Sequence, residues 1–231
     1  MDPLSFKRHR FGPDVIRHAV WLYFRFTLSL RDIEELLAER GIEVSYEAIR
    51  FWTIKFGPRI AANLRTTRPS PSPRWHLDEM VCSVGGKRMY LWRAVDDEGE
   101  ILNTAMRPYR DAWTATKFLA NLIINQPIFP ERIVTDGLKS YAGAVRRLRI
   151  EHLHHQGRLI DNSRAENPHL PIRRRERKMQ KFKSEASAQR FLATHAAVYN
   201  TFYTQTHLVS RKTLRKFRGD AFRAWNEAVA G

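Results

Sequence analysis

Residues 75–100 read "WHLDEMVCSVGGKRMYLWRAVDDEGE", and the reading of this stretch decides the fold. Apolar and aromatic residues alternate with polar ones on both sides of Gly85-Gly86, and the acidic DDEG segment closes the second run. Period-two alternation bounded by turn residues is the pattern of strands joined by tight hairpins. Strands are expected over 75–83, 87–95 and 100–107, as an antiparallel meander. One aspartate, Asp78, falls inside the first of them. A carboxylate in a buried strand is costly unless something offsets its charge.

Downstream, Trp113, Phe118, Leu119 and Leu122 mark a helix over about 112–124. "RIVTD", 132–136, is a short apolar strand, and a helix is expected over about 138–148. A meander, a helix, a further strand and a further helix make an α/β layer around a mixed sheet. After a loop at 155–165 comes a basic segment. An amphipathic helix over about 184–200 follows, with Ala188, Phe191, Leu192, His195 and Tyr199 on one face, then a basic helical tail.

Upstream, "LRTTRPSPSPRW" is a Pro/Ser-rich linker and the clearest boundary in the chain. Before it the periodicity is helical. Pro13 opens a helix over 13–26 carrying Val15, Ile16, Ala19, Val20 and Tyr23. Ser29 with Asp32 forms a capping box for a second helix carrying Ile33, Leu36 and Leu37, which Gly41 ends. Ser45 caps a third, with Ile49, Trp52 and Phe56 at helical spacing. Two helices across a tight turn suggest a helix-turn-helix, in which Arg50 and Lys55 face a DNA groove. The alternative is a plain three-helix bundle with solvated charges. The expected domains are 1–63 (helix-turn-helix), 64–74 (linker), 75–206 (α/β catalytic domain) and 207–231 (basic tail).

Of 231 residues, 43% are apolar, so a packed core is expected. Basic residues outnumber acidic ones 40 to 24, for a formal net charge of +16. That balance calls for a polyanionic partner, nucleic acid before membrane. The lone cysteine, Cys82, excludes an intrachain disulfide framework and a cysteine-rich zinc module. Charge interrupts every long apolar stretch, so no membrane span or secretion signal is expected, and a cytoplasmic setting fits.

Three carboxylates stand out: Asp78 on the first strand, Asp136 at the end of RIVTD, and Glu166 in "DNSRAENPH". Strand ends in α/β sheets often carry the site. If the three converge, divalent cations such as magnesium offset their repulsion and can serve phosphoryl transfer. Each also has a purely structural reading. Asp78 can be a satisfied buried acid, Asp136 an Asx-turn before Gly137, and Glu166 a helix cap.

At these residues the sequence resembles insertion-sequence transposases of the IS6/IS26 family. The matching pieces, in family order, are "WHLDE", "YLWRAVDDEGEIL", "IVTDGLKSY", "NSRAENPH", "RRRERKMQKFKS" and "ATHAAVYNTF". The resemblance covers nearly the whole chain and implies a ribonuclease H-like mixed sheet behind a helix-turn-helix. It places the family's catalytic and metal-holding triad on Asp78, Asp136 and Glu166, with two magnesium or manganese ions, and a basic residue after the glutamate on Arg173. It further implies cleavage at terminal inverted repeats, transfer of the freed 3′ hydroxyl into target DNA, cointegrate formation and a homo-oligomer of at least two copies. A bacterial, nucleoid-associated protein is expected. Only 29 residues separate Asp136 from Glu166, fewer than family members commonly have. The alternative is a disabled transposase that only binds DNA.

From Ser163 to Lys183 eight basic residues face two glutamates. Arg173, Arg174, Arg175, Arg177 and Lys178 are assigned to DNA phosphates, not bases, because one run cannot aim every side chain into a groove. Pro168 and Pro171 argue against one regular helix from Glu166 through Arg173. His152, His154 and His155 are read as loop histidines and not as a zinc site, having no cysteine beside them. His76 is not expected to pair with Asp78, being placed on the opposite face. His195 is read as a structural hydrogen-bond partner. Trp75, Trp92 and Cys82 are read as packing residues.

Overall fold

The computed structural model describes residues 3–157, 169–178 and 182–230. The chain forms two compact units, Met1–Arg68 with Ala193–Gly231, and Pro69–Leu192. The second unit therefore ends at Leu192, before the 206 boundary drawn from sequence. Residues from Ala193 onward pack with the N-terminal helices.

In the first unit, α1 (Pro13–Arg25) opens on its proline, while α2 (Leu30–Ala38) and α3 (Tyr46–Thr66) start at side-chain caps. Ser29 Oγ accepts from the Asp32 amide while Asp32 accepts from the Ser29 amide, a complete capping box. Ser45 Oγ accepts from the Ala48 amide. Gly41, at φ +73°, makes the turn between α2 and α3. Ile16, Val20, Ile33, Leu37, Ile49, Trp52 and Phe56 are buried. α3 runs to Thr66, so the first three residues of the expected linker are helical. The C-terminal helix Arg211–Ala228 joins this unit: Asn63 Nδ2 donates to the Ala228 carbonyl at 2.8 Å, and Trp225 is buried.

The second unit is built on a five-stranded sheet of order β3-β2-β1-β4-β5. Its strands are β1 (Arg74–Val84), β2 (Lys87–Asp96), β3 (Ile101–Arg107), β4 (Arg132–Thr135) and β5 (His154–Gln156). β1, β2 and β3 form the expected antiparallel meander, and β4 and β5 add in parallel. Helices α4 (Ala112–Asn125) and α5 (Lys139–Leu148) supply Phe118, Leu119, Leu122, Tyr141, Ala144 and Val145 to a core with Trp75, Leu77, Trp92 and Ala94. Trp75 and Trp92 are wholly buried. α6 (His169–Lys178) and the start of α7 (Glu185–Phe202) complete the described α-helices of this unit. Gln189 on α7 hydrogen-bonds both the Met106 amide and the Thr104 carbonyl, satisfying part of the free edge of β3. This arrangement is a ribonuclease H-like mixed sheet, and helices α1–α3 precede it in the chain.

Three sequence expectations are corrected here. His154 and His155 are not loop residues but the first two of β5, paired with Ile133 and Val134. A three-residue strand is too short to show periodicity. His154 Nε2 lies 2.9 Å from Thr135 Oγ1, and burial, then His155, lowers its pKa. His76 shares a face of β1 with Asp78, as residues two apart must. Its buried ring nevertheless meets Asp97, Nε2 to Oδ1 at 2.9 Å, and not Asp78. Trp113, grouped with the apolar face of its helix, is 57% exposed.

Candidate active site

The strand register builds the site. β1 and β4 run parallel with Leu77 opposite Thr135 as the last ladder pair, so Asp78 and Asp136 are the next residues on adjacent strands. At that point β4 ends and the backbone turns away. Asp136 Oδ1 accepts from the Leu138 amide at 3.1 Å, forming the Asx-turn foreseen as its structural reading. Gly137 makes that turn possible at φ +86°. A Cβ added there would lie 2.2 Å from Gln156 Nε2. The glutamine can swing aside, but the left-handed backbone cannot be relieved. Gly137→Ala is therefore expected to lower stability by about 1–2 kcal/mol, checked by urea unfolding.

Glu79 completes the cluster. One carboxylate oxygen from each of Asp78, Glu79 and Asp136 lies within 4.8 Å of the others. Alternation puts Glu79 on the same face of β1 as Trp75 and Leu77, and its side chain is only 2% exposed. Asp78 folds back so that Oδ1 accepts from the Glu79 amide at 2.8 Å. Arg110, in the loop before α4, holds Glu79 Oε1 with Nε at 2.6 Å and also with Nη2. Ser140 at the start of α5 donates to the Arg110 carbonyl at 3.0 Å and anchors that loop.

Charge is the cost of this arrangement. Burial first, then the negative charge of Asp136, pushes the Glu79 carboxyl up to about 7, against the opposing pull of Arg110. Burial first, then Glu79 and Asp78, raises the Tyr141 phenol well above its ordinary value. Among the described residues, Glu79 Oε2 is buried with no hydrogen bond of good geometry, and the Tyr141 phenol lies beside the same carboxylate. A buried carboxylate oxygen beside two aspartates, all hard oxygen donors, suits a divalent cation such as Mg2+ or Mn2+. The residues fit one such ion.

Of the expected triad, the structure brings Asp78 and Asp136 together, while Glu166 lies outside the described residues. Glu79 and Arg110 went unnoticed in the sequence. The available signal was a carboxylate in the buried phase of an alternating strand. Among the expected phosphate contacts, Arg173, Arg174, Arg177 and Lys178 are exposed. Arg175 is not. It is 2% exposed, with its guanidinium 5.4 Å from the Phe191 ring centroid. Residues three apart share a helix face, and Arg175 follows buried Ile172. Arg175 is thereby removed from the phosphate set. Arg50 and Lys55 are exposed on α3, where Arg50 pairs with Glu47 at 2.7 Å and Lys55 Nζ lies 2.8 Å from His9 Nε2. Cys82 is buried, its thiol pushed up to about 12 by burial first and Glu176 second, which suits inert packing.

A ribonuclease H-like sheet on which acids from the middle of one strand meet an acid just past the end of its parallel neighbour defines a class of metal-dependent polynucleotide-processing domains. A family model described as a DDE domain matches residues 72–205, more than half of the chain. The chain belongs to the DDE-domain family of transposases. It is 36% identical over 131 residues to the transposase for insertion sequence-like element IS431mec of Staphylococcus aureus, covering 57% of this chain and 58% of the relative. The transposase for insertion sequence element IS257 in transposon Tn4003, also from Staphylococcus aureus, is 34% identical with the same coverage. An uncharacterized protein of Methanocaldococcus jannaschii is 29% identical over 150 residues, 63% of this chain and 65% of that protein. The chain thus spans 58% of the length of the transposases it matches. Among the described residues no helix is long and apolar enough to cross a membrane.

Proposed function

We propose that the protein is a DNA transposase that cleaves at terminal inverted repeats and transfers the freed 3′ hydroxyl into target DNA. The observation that carries this reading is the convergence of Asp78 and Glu79, midway along β1, with Asp136, just past the end of β4, inside the matched DDE domain. Asp78, Asp136 and Glu79 would hold a divalent cation, with Glu166 as the remaining family carboxylate and a second ion in the working complex. When bound, such ions neutralise charge at the reacting phosphoryl group and help activate the attacking water or hydroxyl.

The chain's own residues do the rest. Arg110 keeps Glu79 pointed at the aspartates, and the Gly137 turn aims Asp136. Exposed Arg173, Arg174, Arg177 and Lys178 provide charge for the DNA backbone, whose binding should weaken steeply as salt rises. Residues 1–63 would read the transposon end through α3, and 75–206 would carry the chemistry. Joining two DNA ends calls for at least two copies. The proposed setting is the bacterial cytoplasm, at the nucleoid.

The test is a joining assay on labelled DNA from the gene's own flanks, with Mg2+ or Mn2+. Metal-dependent joining supports the reading. Specific binding by folded protein without cleavage or joining favours the second reading, a disabled DNA-binding protein, to which the short interval between Asp136 and Glu166 lends support.

End recognition is tested separately. The Arg50–Glu47 pair is half exposed on both sides, so its loss should change stability by less than about 1 kcal/mol. Arg50→Ala is expected to weaken binding to terminal DNA about tenfold more than binding to random DNA in anisotropy titrations. A uniform loss would reassign Arg50 to phosphate contact.

A further inference from the structure

Beside the carboxylates lies a surface that the catalytic reading leaves unused. Tyr109 is 66% exposed, and Trp113, at the first turn of α4, is 57% exposed. Two cations from different helices gather on that indole. Lys117 Nζ lies 4.9 Å from the Trp113 ring centroid and Arg147 Cζ, from α5, lies 5.7 Å from it.

The aromatic segment is held in place from several sides. Asp111 caps α4 by accepting from the Thr114 amide at 2.7 Å. Trp92 Nε1 donates to the Tyr109 carbonyl at 3.4 Å, and Ser140 Oγ donates to the Arg110 carbonyl. Gly143 lets α5 approach so closely that a Cβ there would lie 2.9 Å from Ala112 Cβ. Ser140, Gly143 and Arg147 thus follow one face of α5 along residues 110–113. Tyr109 is the chain neighbour of Arg110, whose side chain holds Glu79, so the aromatic segment begins beside the site.

We propose that Tyr109 and Trp113, with Lys117 and Arg147, form a stacking platform for an unpaired nucleotide of the DNA strand next to the carboxylate site. The proposal rests on the transposase reading and adds a substrate contact to it. Aromatic side chains accept any base, and the two cations held within about 6 Å of the indole centre suit the flanking phosphates. Net positive charge here and on the whole chain selects a polyanion over an apolar or cationic partner. Bases in a duplex keep both faces stacked, so the platform recognises a strand end or an unpaired nucleotide. Anchoring before binding reduces the ordering cost.

The test is anisotropy with the full chain, without metal, on an oligothymidine strand of about 20 nucleotides and on a blunt duplex of equal length. Trp113→Ala is expected to weaken single-strand binding about tenfold and duplex binding less than about twofold, with Trp113→Phe retaining most of the single-strand affinity. Circular dichroism should be unchanged, since Trp113 is a surface residue. Unchanged single-strand binding, equal losses on both DNAs, or no single-strand binding by wild type overturns the platform. So does a Trp113-dependent self-association in sedimentation with DNA binding intact, which would make a second copy of the chain the occupant. Metal-dependent joining with Trp113 irrelevant to single strands sinks the platform and leaves the transposase reading standing. Trp113-dependent single-strand binding by a protein that never joins DNA does the reverse.

Discussion

Asp136→Asn is expected to lower metal-dependent cleavage and joining by more than about a thousandfold while leaving DNA affinity within about twofold. The substitution separates charge from shape. The asparagine amide would keep an oxygen for the Leu138 amide, so the turn after β4 survives. The exposed side chain leaves no cavity behind. What disappears is one of the negative charges that make the Asp78–Glu79–Asp136 cluster a cation site. The same joining assay, run in parallel on both proteins with Mg2+ and then Mn2+, reads the effect. Equal cleavage by variant and wild type would take Asp136 out of the chemistry.

The second large effect belongs to Glu79 and appears without any DNA. Its folded carboxyl titrates at about 7, above the ordinary 4.5. Between those values the folded protein holds a proton that the unfolded chain has released. Stability from this group is therefore fully present below about pH 4.5 and is lost as pH rises through 7. The difference amounts to about 2–3 kcal/mol at pH 8 in metal-free protein.

Glu79→Gln imitates the protonated acid. It should be more stable than wild type by that amount at pH 8 and nearly equal to it at pH 4.5, in paired urea titrations. A divalent cation reverses the sign, because it favours the carboxylate. Added Mg2+ should raise the wild-type melting temperature at pH 8 by several degrees and the variant's much less. A variant no more stable than wild type in metal-free buffer at pH 8 would show that Glu79 ionises there at no cost. Equal stabilisation of both proteins by Mg2+ would remove Glu79 from the cation site.

Much of the molecule is legible in the sequence because the signals are local. Period-two alternation around Gly85-Gly86 specifies β1 and β2, and the buried phase of that alternation puts Trp75 and Trp92 in the core. Ser29, Asp32, Gly41 and Ser45 mark the helix boundaries of the N-terminal unit through hydrogen bonds made within three residues. The motifs around Asp78 and Asp136 were sufficient to suggest the DDE-domain family.

Other features escaped for identifiable reasons. β5 is three residues long, below the length at which alternation means anything. Arg175 sits in a run of arginines whose composition says solvent, yet helical phase turns this one inward with Ile172. Trp113 carries the hydrophobicity of a core residue at a position where α4 has barely begun and faces water. Glu79 was overshadowed by its neighbour, because adjacent residues of a strand point to opposite faces and only the end of β4 lets both carboxylates reach the same space.

By itself the sequence determined the order and type of the longer elements and the family to which the chain belongs, since those follow from short-range periodicity, capping and motif. Only the tertiary structure decided which acids meet. Parallel pairing of β1 with β4 joins segments distant in the chain, and its register places Asp78 beside Asp136. The packing of α4 and α5 on that sheet then buries Glu79 against Arg110 and Tyr141, where three clustered carboxylates beside a single guanidinium make a cation the fitting partner.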